Sequence, residues 1–412
     1  MTSKISPFFT LKIPVFRNYL FGSFVSEIGN QMQVVAVAWQ IYELTHNPAA
    51  LGLIGLANFV PILVFSLVGG LTADKWDRKK LLIISQSTLG VVSFALFGLT
   101  AFRLITPWMI YLILILHSTA SSFSLPARQA VLPSLVPKKI FFNAVSLFTL
   151  HYQTSLLVGP AIAGFLIAGF GVGSVYLFNV LSFLVFIVSV LMIKIPLNVG
   201  KEKIEFSVNS ILDGVKFVLS TPILYSTMIL DFLATFFGTA TILMPVFAKD
   251  VLHVGPKGLG LLYSALAMGA VVGGLIIASL HHHQIKNQGK IIMASVILYG
   301  AATIGFGLSK NLLLSLFFLG LVGFWDMVST VIRNTVRQMI TPDHLRGRMV
   351  SVMRIFFQGG PQLGDIEAGL LAAAVGGPVS VFIGGVGVIM ITSFVAYFNP
   401  KLRNYQGKEL AV

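Results

Sequence analysis

Apolar runs long enough to cross a bilayer recur along the chain, separated by short polar segments rich in Lys and Arg. A membrane-crossing helix needs roughly 20 mostly apolar residues. Such runs fall near 17–42, 49–73, 80–103, 106–127, 141–169 and 173–194. After a more polar stretch they resume near 222–248, 258–280, 290–309, 312–336, 349–375 and 378–399. The fourth and tenth pass into basic loops without a clean stop. The pattern predicts an all-α membrane protein of 12 transmembrane helices. The first run is too long for the apolar part of a signal peptide and lacks a convincing cleavage site, so it reads as a retained helix.

Basic residues set the orientation. With the N-terminus inside, the inner segments hold 24 of the 28 Lys and Arg, and the outer segments hold Arg103, Lys249, Lys257 and Lys310. The bias persists across every loop, so both termini are expected in the cytoplasm. The chain also resembles itself. At an offset of 205, Pro137 matches Pro342, Arg128 matches Arg333, Gln153 matches Gln358 and Gly159 matches Gly364; at 204, Glu27 matches Asp231. A nearly constant offset over several spans implies two six-helix halves in parallel. The halves are expected at 1–195 and 222–412, joined by a cytoplasmic linker at 196–221. Within that linker Ser210–Val218 reads as a short amphipathic helix on the inner surface.

Composition sharpens this picture. Hydrophobic residues make up 56% and charged residues 10% of the chain, far from the balance of a soluble domain. The net charge of +14 is scattered between apolar spans rather than gathered on one soluble face, which argues against nucleic acid as a partner. Cysteine is absent, so disulfide, thiol and Cys-based metal chemistry are excluded. His281, His282 and His283 are adjacent at an inner loop and read as solvated rather than as a metal site. No phosphate-binding loop and no catalytic constellation is found, so no cofactor, ATP coupling or enzyme activity is expected.

The loop Gly69-Gly70-Leu71-Thr72-Ala73-Asp74-Lys75-Trp76-Asp77-Arg78-Lys79-Lys80 resembles the signature of the major facilitator superfamily. Asp77 stands where a second glycine is usual, as in the branch of the enterobactin exporters and macrolide efflux pumps. Pro126-Ala127-Arg128-Gln129-Ala130-Val131-Leu132-Pro133, Thr341-Pro342-Asp343-His344-Leu345-Arg346-Gly347-Arg348 and Gly364-Asp365-Ile366-Glu367-Ala368-Gly369 fit the same branch. The fourth run offers His117 but no deep arginine, unlike many drug/proton antiporters.

The resemblance implies the major facilitator fold, with the first, fourth, seventh and tenth helices lining a cavity. Glu27 and Asp231 would then face each other across it, each roughly 15 Å deep, about the middle of a ~30 Å hydrocarbon core. Intramembrane acids are costly and mark proton or substrate paths. The proton-coupling candidates are therefore Glu27, Asp231, Asp326, Asp365 and Glu367; packing roles are the alternative for each. Asp326 and Arg333, seven residues apart, are expected as an ion pair. Asp365 and Glu367 are two residues apart and cannot share one helix face. Gly70, Asp74, Arg78 and Lys79 are gating candidates, with Asp74 capping the eleventh helix. Asn30, Gln33, Gln153, Arg354 and Gln358 could contact substrate or bridge helices.

These features point to a monomeric secondary exporter of the bacterial inner membrane, moving an amphipathic small molecule out in exchange for protons. A siderophore is the first expectation and a drug or macrolide the second. A receptor or scaffold reusing the fold is the rival of another class.

Overall fold

The computed structural model describes residues 9–193, 215–238, 241–280 and 287–406; within them the side chains of 66–71, 73–75, 138, 343–344, 346–348, 350–351 and 354–355 lie outside the description. Long helices follow the apolar runs. They are α1 (Pro14–Thr45), α2 (Pro48–Lys75), α3 (Arg78–Ala101), α4 (Pro107–Leu135), α5 (Phe141–Phe170) and α6 (Val172–Leu191). Then come α7 (Pro222–Gly238), α8 (Gly255–Ser279), α9 (Gln288–Leu308), α10 (Leu312–Ile340), α11 (Asp343–Val375) and α12 (Gly377–Phe398). No strand occurs among the described residues. Among the described residues ten spans are long and apolar enough to cross a membrane; α1 and α11, the most polar of the long helices, fall outside that set.

The chain divides into two compact units, Met1–Thr45 with Val60–Ile204, and His46–Phe59 with Glu205–Val412. The two units share four helix pairings. In the first, α1 packs on α5 and α6, and α3 packs on α4 and α6. In the second, α7 packs on α11 and α12, and α9 packs on α10 and α12. Every pair recurs six helices later, the structural counterpart of the repeat offset.

Lipid gives helices no hydrophobic reason to associate, so close packing and hydrogen bonds hold such bundles. In α1 the residues that do this recur every seventh position: Tyr19, Ser26, Gln33 and Gln40, all buried. Gln33 Oε1 accepts from Ser93 Oγ and Asn179 Nδ2, both at 2.7 Å. Gln40 donates to Thr100 Oγ1 at 3.0 Å and accepts from the Tyr176 hydroxyl at 2.7 Å. A seven-residue period keeps one helix stripe facing its neighbours. Gly29, on the same helix, lies so close to Asn179 and Ser182 of α6 that a Cβ there would collide with both.

The seventh apolar run is not one continuous helix. The α-helix is described as far as Gly238; beyond residues 239–240, which lie outside the described residues, Thr241–Leu243 forms a 3-10 turn before a π turn at Phe247–Val251. Two tyrosines satisfy carbonyls at the interruption. Tyr299 donates to Gly238 O at 2.8 Å and Tyr263 to Thr241 O at 3.0 Å. The expected linker helix lies partly outside the described residues; its described end is helical, with Val218 buried against Met228, Met349 and Val352.

Candidate functional site

Helix α4 does not stop at the end of its apolar run. It continues through Pro126 and Pro133 to Leu135, because Ala127, Val131, Leu132 and Leu135 still bury an apolar face. This extension carries Arg128 into the first unit, where it is only 7% exposed. A buried charge needs compensation. Arg128 Nη1 lies 3.4 Å from Glu27 Oε2, and Nη2 donates to Ser26 Oγ at 3.0 Å and Gln86 Oε1 at 3.1 Å. The guanidinium also sits 4.4 Å from the Phe186 ring centroid, a cation–π contact. Gln31 Nε2 donates to the other Glu27 oxygen at 3.1 Å.

The second unit repeats the arrangement with more charge. Asp231 of α7 is 4% exposed. Arg333 Nη2 lies 2.7 Å from its Oδ1, and Arg337 Nη2 lies 3.2 Å from its Oδ2. The two arginines are four residues apart on α10, hence on one face. Arg337 also donates to Thr227 O at 2.6 Å and Thr227 Oγ1 at 3.2 Å. Arg333 reaches a second acid: Asp326 Oδ1 lies 3.9 Å from the same Nη2, and its side chain is 51% exposed. The expected Asp326–Arg333 pair is therefore present but is the longer of the two bridges made by Arg333.

The charge pattern of the sequence counts Arg128, Arg333 and Arg337 with the inner segments. All three instead lie on helices and are buried. The expectation of a fourth helix without an arginine inside the bundle is corrected accordingly. The available signals are the missing stop after the fourth and tenth runs, the match of Arg128 to Arg333, and the i,i+4 spacing of Arg333 and Arg337.

The remaining candidates separate. Asp365 of α11 meets Gly55 of α2 so closely that a Cβ on the glycine would lie 2.8 Å from its Cβ. Asp365 Oδ1 and Gln362 Oε1 are buried without a hydrogen-bond partner among the described residues, and so is Asn30 Oδ1. Glu367, Gln153 and Gln358 are half-buried. Gln33 is committed to Ser93 and Asn179 within its own bundle. Of the gating candidates, Arg78 Nη1 donates to Ala130 O at 3.0 Å. Lys79 Nζ donates to Leu191 O at 3.0 Å and Ile193 O at 2.6 Å, closing the C-terminus of α6. The surroundings of Gly70 and the side chains of Asp74 and Arg354 lie outside the description, as do His281, His282 and His283.

The family model described as transmembrane secretion effector matches residues 5–411. The chain is 26% identical over 397 residues to the enterobactin exporter EntS of Citrobacter koseri, covering 95% of this chain and 94% of that protein. The enterobactin exporter EntS of Escherichia coli O1:K1 / APEC matches with the same identity and coverage. Among solved structures, the bacterial homologue of the human lysosomal transporter Spinster, inward-facing and occupied, superposes with a TM-score of 0.75 at 14% identity, covering 97% of this chain and 99% of that one. The nucleoside transporter NupG superposes with a TM-score of 0.72 at 15% identity, covering 95% of this chain and 99% of that one.

Proposed function

The chain belongs to the transmembrane secretion effector family of the major facilitator superfamily, and from that premise we propose that it is a proton-coupled exporter of a siderophore. It is a multi-pass membrane transporter. In this reading it sits in the bacterial inner membrane as a monomer with twelve crossings, α1 and α11 included, and both termini in the cytoplasm. It works by alternating access.

The observation that carries the coupling reading is the shared arginine of the second unit. Asp231, Asp326, Arg333 and Arg337 together carry no net charge when all are ionised. A proton arriving on Asp231 weakens its hold on Arg333 and leaves one positive charge in excess. Asp326, within 3.9 Å of the same nitrogen, is placed to take the guanidinium over. The exchange gives the bundle two charge arrangements selected by one proton. Asp365, whose Oδ1 is buried without a hydrogen-bond partner among the described residues, is a second proton candidate; Glu27, paired with Arg128, is a third.

The siderophore reading is supported by the full-length similarity to enterobactin exporters. The half-exposed acid Asp326 favours a second reading, efflux of a cationic drug or macrolide. A strain lacking this chain separates the two. Under iron limitation its siderophore secretion is expected to fall while sensitivity to a drug panel stays unchanged; unchanged secretion overturns the siderophore reading.

A further inference from the structure

A cleft outside the charged cluster opens between the inner halves of α1 and α5. Arg17, Leu20, Phe21 and Phe24 line one wall, and Leu147, Leu150, His151 and Thr154 line the other. Each set follows the i, i+3, i+4, i+7 spacing of a single helix face, so two helix stripes look at each other across a volume of about 330 Å³. Leu11, from the 3-10 turn Phe9–Lys12, closes one end. The deep end is aromatic. His151 packs edge-on to Phe24 and Phe148, with centroids 6.3 and 4.5 Å away, and its Nε2 is engaged with Ser23 Oγ at 3.3 Å.

Two properties select the occupant. Apart from Arg17 at the rim, the walls are leucine and phenylalanine with His151, whose Nε2 is engaged with Ser23, and Thr154, whose hydroxyl donates to Leu150 O at 2.8 Å, so a polar solute would find few partners there. Phe21 and Leu150 are more than half exposed, so an apolar chain can enter. At the rim Arg17 is exposed; Lys12, also exposed, ends the 3-10 turn that carries Leu11, its Nζ 5.6 Å from the Phe9 ring. Arg17 precedes Phe24 by seven residues, about 10 Å along the helix. That distance separates a charged head at the membrane surface from an acyl body in the hydrocarbon. Basic clefts between membrane helices on the cytoplasmic side suit anionic lipid head groups.

We propose that this cleft is a binding site for an anionic phospholipid of the inner leaflet, with the phosphate at Arg17 and an acyl chain between Phe21, Phe24 and Leu150. The inference rests on the orientation proposed above, with α1 starting at the inner face, but not on the identity of the transported substrate.

Native mass spectrometry of the purified full chain tests it without any transport readout. The protein is exchanged from detergent into phosphatidylglycerol or phosphatidylcholine and then delipidated stepwise. The parent is expected to retain phosphatidylglycerol preferentially, and Arg17→Gln to lose that preference by about fivefold, the worth of one basic side chain at the surface. Arg17→Lys should keep it. Leu150→Trp, which fills the cleft at an exposed position, should reduce retention of both lipids. Melting curves matching the parent show that each variant is folded. The proposal is overturned if the parent holds the two lipids equally, if Arg17→Gln and Leu150→Trp both retain phosphatidylglycerol like the parent, or if added enterobactin displaces the lipid one for one. Each of these results leaves the exporter reading standing, whereas loss of siderophore export in cells would not be repaired by a positive lipid result.

Discussion

Arg333 Nη2 lies 2.7 Å from Asp231 Oδ1, joining the fourth helix of the second unit to its first. Arg128 and Glu27 make the same connection in the first unit at 3.4 Å, on residues 205 and 204 positions earlier. An internal repeat therefore preserves an acid–arginine bridge as well as a fold. The second copy is the more heavily built, with Arg337 added on the same carboxylate.

That addition sets the cost of removing the acid. Asp231→Asn leaves two buried guanidiniums without the carboxylate they share. Breaking a buried pair costs about 3–5 kcal/mol. The variant is expected to melt well below the parent in detergent as well as to lose transport. Adding Arg333→Gln should recover part of the stability, a coupling of about 0.5–3 kcal/mol by the double-mutant cycle. Strict additivity of the two changes would show that the pair is not energetically linked.

Asp326 should behave differently. Its side chain is half exposed and its bridge to Arg333 is the longer of the two, so its removal leaves Arg333 still held by Asp231. Asp326→Asn is expected to melt within a few degrees of the parent yet to fail in proton-driven transport. Normal transport by this variant would contradict the exchange of Arg333 between two acids.

Much of this is legible in the chain. The twelve apolar runs correspond to long helices, and the matched depth of Glu27 and Asp231 leads to the paired acids. Their partners are hidden by a sound rule applied at its edge. Basic residues at the end of an apolar run are normally loop anchors, and a run followed by Arg128 or Arg337 looks the same when the helix continues. Only the three-dimensional packing shows that Val131, Leu132 and Leu135 extend the buried face past Arg128, and Val336 past Arg333. The 3-10 turn at Thr241–Leu243 is invisible in the sequence because its flanks are as apolar as a helix. Gln33 reads as a cavity residue because a lone polar side chain in a span reads that way; its seven-residue spacing from Ser26 and Gln40 is the sign of a packing role.

Gln33 accepts two buried hydrogen bonds. Gln33→Leu removes the acceptor of the Ser93 hydroxyl and leaves the Asn179 amide only its longer bond to Ser93 Oγ at 3.4 Å, at about 1–3 kcal/mol for a buried group left unpaired. Thermal melting should show that loss, while the ranking of transported substrates stays as in the parent. A changed substrate ranking at unchanged stability would return Gln33 to the transport path.

Lys79 and Lys80 are neighbours with different roles. Lys79 closes two carbonyls at the end of α6, where a cation also meets the negative end of the helix dipole; Lys80 is exposed. Lys79→Met should lower stability by about 0.3–1 kcal/mol, and Lys80→Met should stay within about 0.5 kcal/mol. Equal effects would mean that both lysines serve only as surface anchors.

The central claim is outward transport driven by protons. Its most direct test is enterobactin accumulation in everted membrane vesicles containing this chain, with the lumen made acidic. The account predicts accumulation that follows the imposed pH gradient and collapses with a protonophore or with Asp326→Asn. Accumulation that is indifferent to the gradient, or its absence across siderophores and cationic drugs alike, would contradict it.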